Sequence, residues 1–416
     1  MTPQQPQPQD RSPLGAAGGD AQRPRRIEGV DAARALAVFG MLTVHLGAGS
    51  LGLAALAGED AAEAFHGLTR GRSSALFAFL AGLSLALMTG RTVPLRGWEL
   101  RRPIARILVR ALVLALLGGV LDQLGAPVAV ILTYYAGFFL LALPMLSLGA
   151  PVLAGIAAAV ALLGPQLSYL LRSGMGDDGI REGSIGGVTD LLLTGYYPAA
   201  TFMAFVAAGM AVGRLDLRSA RVRLGLAGTG AGLAALGYGG SWLLLHPLGG
   251  LDRIGTDLAG STDPAMAGPM RTWAEQQLGD MHGQVPVDSP SWLLIASPHS
   301  GTTFEAVGAV GSSLLVLTFC LVAAERARAV MYPLAAAGAM ALTVYAGHIL
   351  VMASEGMSHL DTAPFRWEAF VGTALVLCTL WRLLLGRGPL EWGLGRLADA
   401  GASLVPDQEP PAVPRR

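Results

Sequence analysis

Four of the seven histidines fall near one common level of the predicted membrane spans. They are His45 near the end of the first span, His66 before the second, His299 before the eighth and His348 late in the ninth. A helix bundle can bring such positions around one cavity. Because imidazole titrates near neutral pH, the cluster predicts proton transfer. A single histidine near a helix end is more commonly an interhelical hydrogen-bonding residue, so the prediction depends on all four together.

Hydroxyl, tyrosine and charged side chains lie beside these histidines or open the neighbouring spans. Such groups can donate hydrogen bonds to a developing oxyanion or hold a substrate. Beside His66, the further candidates for catalysis are Arg72 and Ser73. The candidates for substrate binding are Tyr196, Tyr197, Ser300, Thr302, Thr303 and Glu305.

Arginines gather on the opposite side of the predicted bundle, around the start of the first span and after the second. A guanidinium group can donate two parallel hydrogen bonds to one phosphate group. This cluster therefore predicts a binding site through which an anionic donor enters from the cytoplasm. The same arginines also fit a topology signal, and Asp31 with Arg34 fits a local ion pair one turn apart. The candidates for donor binding are Arg34, Arg101, Arg102, Arg106 and Arg110.

The residue pattern argues against metal and nucleic-acid chemistry. It contains no HExxH motif and no closely spaced His or Cys pair, so we predict no metal site. Cys320 and Cys378 lie in separate apolar segments and are interpreted as small core residues. The 29 basic residues balance 29 acidic ones, and no basic stripe with interleaved aromatics occurs outside short loops, which argues against nucleic-acid binding.

The elements that would position these groups are membrane helices. The 416 residues are 52% hydrophobic and 14% charged, whereas soluble domains carry roughly 25% charged residues. Apolar runs recur along the chain, each near the roughly 20 residues that cross a bilayer. They predict an all-α, polytopic integral membrane bundle of about ten spans, near residues 35–56, 73–89, 104–122, 128–148, 151–171, 198–213, 224–245, 304–324, 331–354 and 368–386.

Arginine placement predicts the orientation, because positively charged loops stay in the cytoplasm. Arginines precede the first span and follow the second, sixth, eighth and tenth, so both termini are expected on the cytoplasmic side. We expect disordered cytoplasmic tails at residues 1–25 and 399–416. Between them lies a transmembrane domain, residues 26–398, whose longest extracytoplasmic loop covers about 246–303.

Six segments, taken in this order, resemble one family of membrane enzymes over about residues 26–398. They are RIEGVDAARALAVFGMLTVH (26–45), GRSSALFAFLAG (71–82), LLLTGYYPAATFMAFVAAGMAVGRLDL (191–217), SPHSGTTFEAVGAVG (297–311), GAMALTVYAGHIL (338–350) and GPLEWGLGRL (388–397). The chain resembles the YeiB-like and heparan-α-glucosaminide N-acetyltransferase-like proteins of the transmembrane acyltransferase superfamily. The resemblance implies a multi-pass enzyme of the bacterial cytoplasmic membrane.

The resemblance also implies a reaction. Its members move an acyl group, typically acetyl from acetyl-CoA on the cytoplasmic side, to a hydroxyl or amine of a glycan or similar acceptor on the far side. In the lysosomal branch a histidine between the first two spans is associated with catalysis, and His66 occupies the matching loop. That branch has an asparagine near the end of the first span where this chain has His45. A homodimer is a further expectation.

Two mechanisms and two other functions stay open at the level of sequence. His66, or alternatively His299, would act as general base, and transfer would be direct or would pass through an acyl-imidazole. The chief alternative function is a transporter or flippase for an acylated or anionic small molecule, because spans and buried histidines serve either function. A non-catalytic scaffold subunit is the third.

Overall fold

The computed structural model describes residues 26–126, 128–175, 186–260, 263–279, 281–355 and 363–406. Within these ranges the chain is helical and contains no β-strand, which confirms the all-α prediction. The α-helices are α1 (Glu28–Leu46), α2 (Gly52–Ala57), α3 (Glu59–Thr69), α4 (Arg72–Met88), α5 (Arg101–Asp122), α6 (Leu132–Ala142), α7 (Ala150–Met175), α8 (Ala199–Gly213), α9 (Ala220–Ala234), α10 (Gly240–Leu245), α11 (Gly250–Ala259), α12 (Ala267–Gln277), α13 (Thr303–Arg326), α14 (Arg328–Ala339), α15 (Ala341–Glu355), α16 (Arg366–Leu384) and α17 (Pro389–Ser403).

Six helical segments of the described chain are long and apolar enough to cross a membrane. The number rises to seven if α14 and α15, which meet at a 69° bend, form one broken span. Two further predicted spans coincide with shorter apolar helices, Leu132–Met145 and Ala199–Gly213. The predicted span at 224–245 covers α9 and α10, which are joined by a π-helical turn at Ala235–Gly239. Several membrane-crossing helices are therefore present, as the apolar runs predict.

Small residues let the helices of the bundle centre approach closely. A Cβ at Gly82 of α4 would collide with the Val206 carbonyl of α8, and one at Gly209 would collide with the Phe79 carbonyl. Gly338 of α14 packs in the same way against the Asp31 carbonyl of α1. Membrane helices commonly associate through small residues that let their backbones approach closely. Burial of apolar side chains contributes little free energy to helix association within lipid, because the lipid tails are themselves apolar.

The bend between α14 and α15 is held by the last helix. The Glu391 carboxylate of α17 accepts hydrogen bonds from the Thr343 backbone N–H at 3.0 Å and from the Thr343 hydroxyl at 2.6 Å. These bonds supply an acceptor for the free N–H groups at the start of α15. The broken span therefore has a fixed geometry at its midpoint.

The described residues between 246 and 302, here called the lid segment, pack together where the sequence predicts a long outer loop. It contains α11, α12 and a 3₁₀ turn at Pro290–Leu294. Its own apolar cluster is built around Leu251, Ile254, Trp292 and Ile295, all at most 1% exposed. Because this cluster forms a small apolar core, the lid segment is a packed unit and not an irregular loop.

The structure corrects several predicted boundaries. The first span begins at Glu28 and ends at Leu46, because Gly47 adopts φ 76° and breaks the helix. The predicted loop before the second span contains α3, and α17 runs to Ser403, past the predicted boundary at 398. The predicted C-terminal tail, 399–416, is thus helical as far as Ser403, and residues 1–25 and 407–416 lie outside the described residues.

Candidate functional site

A cavity of about 630 Å³, here called the histidine cavity, lies at the C-terminal end of α1. Its walls come from α1, α4, the end of α5, the segment before α6, the turn before α8 and the lid segment. The lining residues include the polar side chains of His45, Thr69, Ser73, Ser74, Asp122, Tyr196, Tyr197, His282 and His299. No lysine or arginine lines it within the described residues.

His45 and His348 form a hydrogen-bonded pair at the back of this cavity. The bond joins His45 Nδ1 to His348 Nε2 at 2.9 Å, and either ring can be the donor. His348 is 4% exposed and packs against the Tyr345 ring, with 5.1 Å between centroids. Because His45 lines the cavity and its Nδ1 is engaged, its Nε2 is the nitrogen available to a bound molecule. The pair has the arrangement of a base held by a second residue.

His299 is held by the loop that precedes α13. It adopts φ 58°, a left-handed conformation that is unusual for a residue with a side chain. The Glu305 carboxylate accepts hydrogen bonds from the backbone N–H groups of His299 and Gly301, both at 2.6 Å. The loop thereby turns around one carboxylate and sets the ring of His299 at the cavity wall.

Three glycines make room for this loop. Gly71, Gly283 and Gly301 all have positive φ, so each adopts a backbone conformation that L side chains rarely adopt. A Cβ at Gly71 would lie 2.9 Å from Pro298 Cα, and one at Gly301 would lie 2.6 Å from the Gly283 carbonyl oxygen. The Gly283 N–H donates to the His299 carbonyl at 2.7 Å. His299 is therefore fixed from the bundle side and from the lid side.

The ring of His299 is buried among aromatic rings. Its centroid lies 4.9 Å from that of Tyr196 and 5.8 Å from that of Tyr197. Its Nδ1 has no hydrogen-bond partner in the described chain. Burial, with the charges of Arg70 and His282 acting in the same direction, lowers the pKa of His299 to about 3. The imidazole is therefore neutral at physiological pH.

Tyr196 and Tyr197 reach the cavity on the turn before α8, as the substrate-binding prediction requires. The Tyr196 backbone N–H donates to the Tyr134 hydroxyl at 3.1 Å, which ties this turn to α6. Tyr196 is half-buried, and its ring lies 5.6 Å from that of His282. The two tyrosines give the cavity an aromatic wall.

The other predicted substrate-binding residues belong to the support of His299 and do not line the cavity. The Thr302 hydroxyl accepts from the Glu305 N–H at 3.2 Å and caps α13. The Ser300 hydroxyl donates a hydrogen bond to Glu305 Oε2 at 3.3 Å. The Thr303 hydroxyl donates to the Ala161 carbonyl at 2.9 Å. Their polar groups are engaged within the protein, so they position the loop.

The predicted catalytic residues around the second span divide into two groups. Ser73 lines the cavity, and its hydroxyl donates to the Thr69 carbonyl at 2.8 Å. His66 lies in α3, where its Nδ1 is 3.8 Å from the Glu63 carboxylate, and it does not line the cavity. Arg72 is also outside, with Nε donating to the Tyr238 hydroxyl at 3.0 Å.

Four polar residues of the cavity are not among the predicted candidates: Thr69, Ser74 and the ionisable Asp122 and His282. Asp122 ends α5 and has no ion pair and no side-chain hydrogen bond in the described chain, although it lines the cavity. His282 comes from the lid segment. A carboxylate at the end of an apolar span is a signal for Asp122. His282 has no local signal, because only the folded lid brings it to the bundle.

A second cavity of about 690 Å³, the arginine cavity, lies at the N-terminal end of α1. Five arginines line it: Arg26, Arg34, Arg91, Arg110 and Arg387. Arg34 donates to Asp31 at 2.7 Å and to the Ser84 hydroxyl at 3.1 Å, so the predicted local ion pair is present. The cavity also contains Glu391, which holds the bend of the broken span.

Three of the predicted donor-binding arginines lie outside this cavity. Arg101 stacks on Trp98 at 4.1 Å, and Arg102 donates to the Val405 carbonyl at 3.1 Å. Arg106 pairs with Asp399 of α17 at 3.0 Å. Arg34 and Arg110 are the predicted arginines that line it, while Arg26, Arg91 and Arg387 were not among the candidates.

Residues of α1, α4, α5 and the region around the start of α6 line both cavities. On α4, Ser74 lines the histidine cavity and Phe77 lines the arginine cavity. Before and at the start of α6, Ala129 lines the first and Leu132 the second. A separation of three residues is about 4.5 Å along a helix. On α4 the linings of the two cavities therefore come within one helical turn, whereas on α1 the nearest lining residues, Arg34 and Met41, are separated by about 10 Å along the helix.

No three His, Cys, Asp or Glu side chains of the described ranges are arranged to hold a metal ion. What the arrangement offers is histidine chemistry in one cavity and anion binding in the other.

Comparison with known proteins agrees with this architecture. The profile of the family described as heparan-alpha-glucosaminide N-acetyltransferase, catalytic, matches residues 26–245, just over half of the chain. No curated protein and no solved structure shows significant similarity to it. The matched region contains His45, Ser73, Asp122 and the paired tyrosines, and it ends before the lid segment. The chain belongs to the heparan-α-glucosaminide N-acetyltransferase family of membrane acetyltransferases.

Proposed function

We propose that the protein transfers an acetyl group from acetyl-CoA, bound in the arginine cavity, to an acceptor in the histidine cavity. The acceptor presents a hydroxyl or amine of a glycan or related small molecule. The observation that carries the proposal is the approach of the two cavity linings on α4, where Ser74 and Phe77 are within one helical turn, with five arginines lining one cavity and three histidines lining the other. The proposed subtype within the superfamily is YeiB-like.

The arginine cavity suits the charged end of the donor. Coenzyme A carries a diphosphate and a ribose phosphate, and guanidinium groups bind phosphate oxygens through paired hydrogen bonds. Arg34 and Arg110 are the proposed contacts along the cavity, and the exposed Arg26 and Arg387 are the proposed contacts at its mouth. Arg101, Arg102 and Arg106 have other partners, and their proposed role is to hold the helix ends at this face.

His45 is the proposed general base, and His348 holds it. In the tautomer that suits this role, His45 Nδ1–H donates to His348 Nε2, so that His45 Nε2 accepts a proton. His45 removes the proton from the acceptor oxygen or nitrogen, which attacks the thioester carbonyl carbon. The carbon–sulfur bond then breaks, and the leaving thiolate takes the proton from His45 to give coenzyme A. Atoms and charge balance without another reactant.

His299 and His66 are the other histidines to which the chemistry can be assigned. His299 is neutral and lines the cavity, so it can accept an acetyl group from the opposite wall, but its pKa of about 3 makes it a weak base. His66 requires a movement of α3 to reach a bound acceptor, since it does not line the cavity. An acetyl-imidazole on any of these residues would appear as label retained on the protein after rapid denaturation near neutral pH, because acid hydrolyses acyl-imidazoles.

The rings of Tyr196 and Tyr197 support a carbohydrate acceptor. Sugar rings present C–H groups on one face, and aromatic side chains pack against apolar surface of this kind. The hydroxyl of Ser73 and the carboxylate of Asp122 offer hydrogen-bonding groups beside them. This combination suits a polar molecule with one apolar face.

The orientation proposed here places the arginine cavity in the cytoplasm and the lid segment outside. This orientation follows from the arginine-rich loops at the N-terminal end of α1, because positively charged loops stay on the cytoplasmic side of the membrane. Counting the shorter and broken helices gives ten spans with both ends inside, in the cytoplasmic membrane of a bacterium. The homodimer stays a proposal that cross-linking in membranes would test.

Radiolabelled acetyl-CoA tests the function directly. The purified protein in vesicles is mixed with labelled donor and a panel of amino sugars, neutral sugars and lipid-linked glycans. Wild type is compared with His45→Ala, His66→Ala and His299→Ala, and with His246→Ala as control, because His246 is exposed and lines neither cavity. Loss of transfer in His45→Ala alone, with donor binding intact, supports the assignment. Absence of donor binding in wild type contradicts the proposed enzyme, and proton-coupled uptake without product would indicate a transporter.

A further inference from the structure

We propose that the hydroxyl of Tyr135 donates a hydrogen bond to the carbonyl oxygen of the donor's thioester, so that the arginine cavity distinguishes an acylated coenzyme A from the free thiol. This inference rests on the proposed function, because it assumes that the donor occupies that cavity. It adds a binding site for the acyl group.

The Tyr135 hydroxyl is an unsatisfied polar group in the bundle. Tyr135 is 3% exposed, and its hydroxyl has no hydrogen-bond partner in the described part of the chain. Neighbouring tyrosines differ in this respect, since Tyr134 accepts from the Tyr196 N–H and Tyr345 accepts from the Ile131 N–H. A buried hydroxyl without a partner costs free energy, so it calls for an explanation in terms of a ligand.

Tyr135 lies at the end of the arginine cavity that faces the histidine cavity. Its ring packs 5.2 Å from that of Phe77, and both residues line the cavity. On α4 the lining residues run from Phe77 to Met88, which is about 16 Å along the helix axis. The arginines lie toward the other end, near Met88 and Arg91. A donor whose phosphates meet the arginines would place its acyl end beside Tyr135.

The apolar cavity wall around Tyr135 favours an uncharged hydrogen-bond acceptor as its ligand. Toward this end the cavity wall is apolar, with Leu114, Leu132 and Phe139. The polar groups of the wall that are hydrogen-bonded, such as Ser84, lie nearer the arginines. A thioester carbonyl is an acceptor without charge, and a phenol in an apolar wall is a suitable donor for it. Free coenzyme A has a thiol at this position and lacks the carbonyl.

Discrimination of this kind assists turnover. The hydrogen bond is present while the acyl group is on sulfur and is lost when the acyl group leaves. The product thiol is therefore bound more weakly than the substrate by the strength of that bond. Tyr135 forms no covalent bond in this scheme and gives up no proton.

Calorimetric binding of acetyl-CoA and of coenzyme A to the full-length protein in detergent tests the inference. Tyr135→Phe removes the hydroxyl and keeps the ring, and Tyr332→Phe is the matched control, because Tyr332 lines neither cavity. We expect wild type to bind acetyl-CoA about fivefold more tightly than coenzyme A, the equivalent of about 1 kcal/mol for one hydrogen bond. In Tyr135→Phe this preference disappears and coenzyme A affinity is unchanged.

A second readout separates ligand binding from a structural role. Removing an unpaired hydroxyl leaves the ligand-free protein as stable as wild type, so the Tm of Tyr135→Phe should not fall. A lowered Tm, a retained preference in the variant or equal weakening of both ligands would overturn the inference while leaving the donor site in place. Failure of wild type to bind either ligand would overturn the proposed donor site itself, and this inference with it.

Discussion

His45 Nδ1 and His348 Nε2 lie 2.9 Å apart, although 303 residues separate them in the chain. The bond connects the first helix of the bundle to the second half of the broken span. Since His348 is buried behind His45, its influence on a reaction must pass through that ring. The pair therefore behaves as one unit.

Variants of this pair should show non-additive losses. We expect His45→Ala to lower kcat by about 10²–10⁴-fold, the usual contribution of a general base. His348→Ala should lower kcat by about 10–100-fold, as loss of an orienting partner does. The double variant should resemble His45→Ala alone, because residues that act as a unit are non-additive. Steady-state kinetics checks this, and multiplicative losses would show that the two rings act separately.

The carboxylate of Glu305 should be necessary for the loop that carries His299. The two Glu305 oxygens each accept from one backbone N–H, and Glu305→Gln replaces one of them with a donor NH2 group, which should lower stability by about 1–3 kcal/mol. Transfer activity should fall with it, since the ring of His299 loses its support. Glu275→Gln is the control, because that side chain is exposed and has no ion pair or side-chain hydrogen bond in the described chain, so the Tm of this variant should change little. An unchanged Tm for Glu305→Gln would show that the carboxylate does not stabilise this loop.

The depressed pKa of His299 predicts how stability depends on pH. The folded protein keeps this histidine neutral down to about pH 3, whereas an unfolded chain protonates it near 6.5. Below about pH 6.5 the unfolded state binds more protons, so this residue contributes a loss of stability as pH falls. His299→Gln should show a flatter dependence of Tm between pH 6.5 and 4.5, measured in detergent. A parallel dependence would mean that His299 is protonated in the folded protein.

Donor binding should depend on Arg110 more than on Arg101. Arg110→Gln removes a guanidinium that lines the arginine cavity, whereas Arg101 stacks on Trp98 outside it. A charge-assisted hydrogen bond contributes about 1.5–3 kcal/mol, so acetyl-CoA affinity should fall about tenfold or more in the first variant. Isothermal calorimetry at fixed ionic strength gives both values. Equal weakening would place the phosphates at the surface.

Gly71 should not tolerate a side chain, whereas nearby Gly67 should. Alanine at Gly71 is strained at φ 69°, and its Cβ would lie 2.9 Å from Pro298 Cα. At Gly67 no atom lies within 4 Å, so alanine is expected to be neutral or to stabilise α3 by roughly 0.5–1 kcal/mol. Tm and transfer activity of the two variants give the comparison. Normal activity in Gly71→Ala would contradict the fixed position of His299.

The all-α membrane fold can be predicted from local sequence patterns, whereas only part of the candidate site can. Apolar runs are strong local signals, so helices at membrane depth were predictable. Which face of a helix meets a cavity depends on tertiary packing. Arg106 and Arg110 are one turn apart on α5, yet the first pairs with Asp399 and the second lines the arginine cavity.

The residues of the lid segment show the same limit. The sequence predicts site residues between His299 and Glu305, and His299 does line the cavity. The hydroxyl groups of this stretch and Glu305 support the loop instead, which only a hydrogen-bond network in three dimensions reveals. His282 contacts the cavity because α11 and α12 fold over the bundle, and no spacing in the sequence encodes that contact.

The lid segment has a consequence for how relatives of this protein can diverge. It has its own apolar core and supplies two of the three histidines of one cavity, while the other cavity takes no residue from it. Under the proposed function, changes in residues 246–302 can therefore alter the choice of acceptor without altering the choice of donor. Exchange of this segment between homologues is accordingly a route to new acceptors on an unchanged membrane bundle.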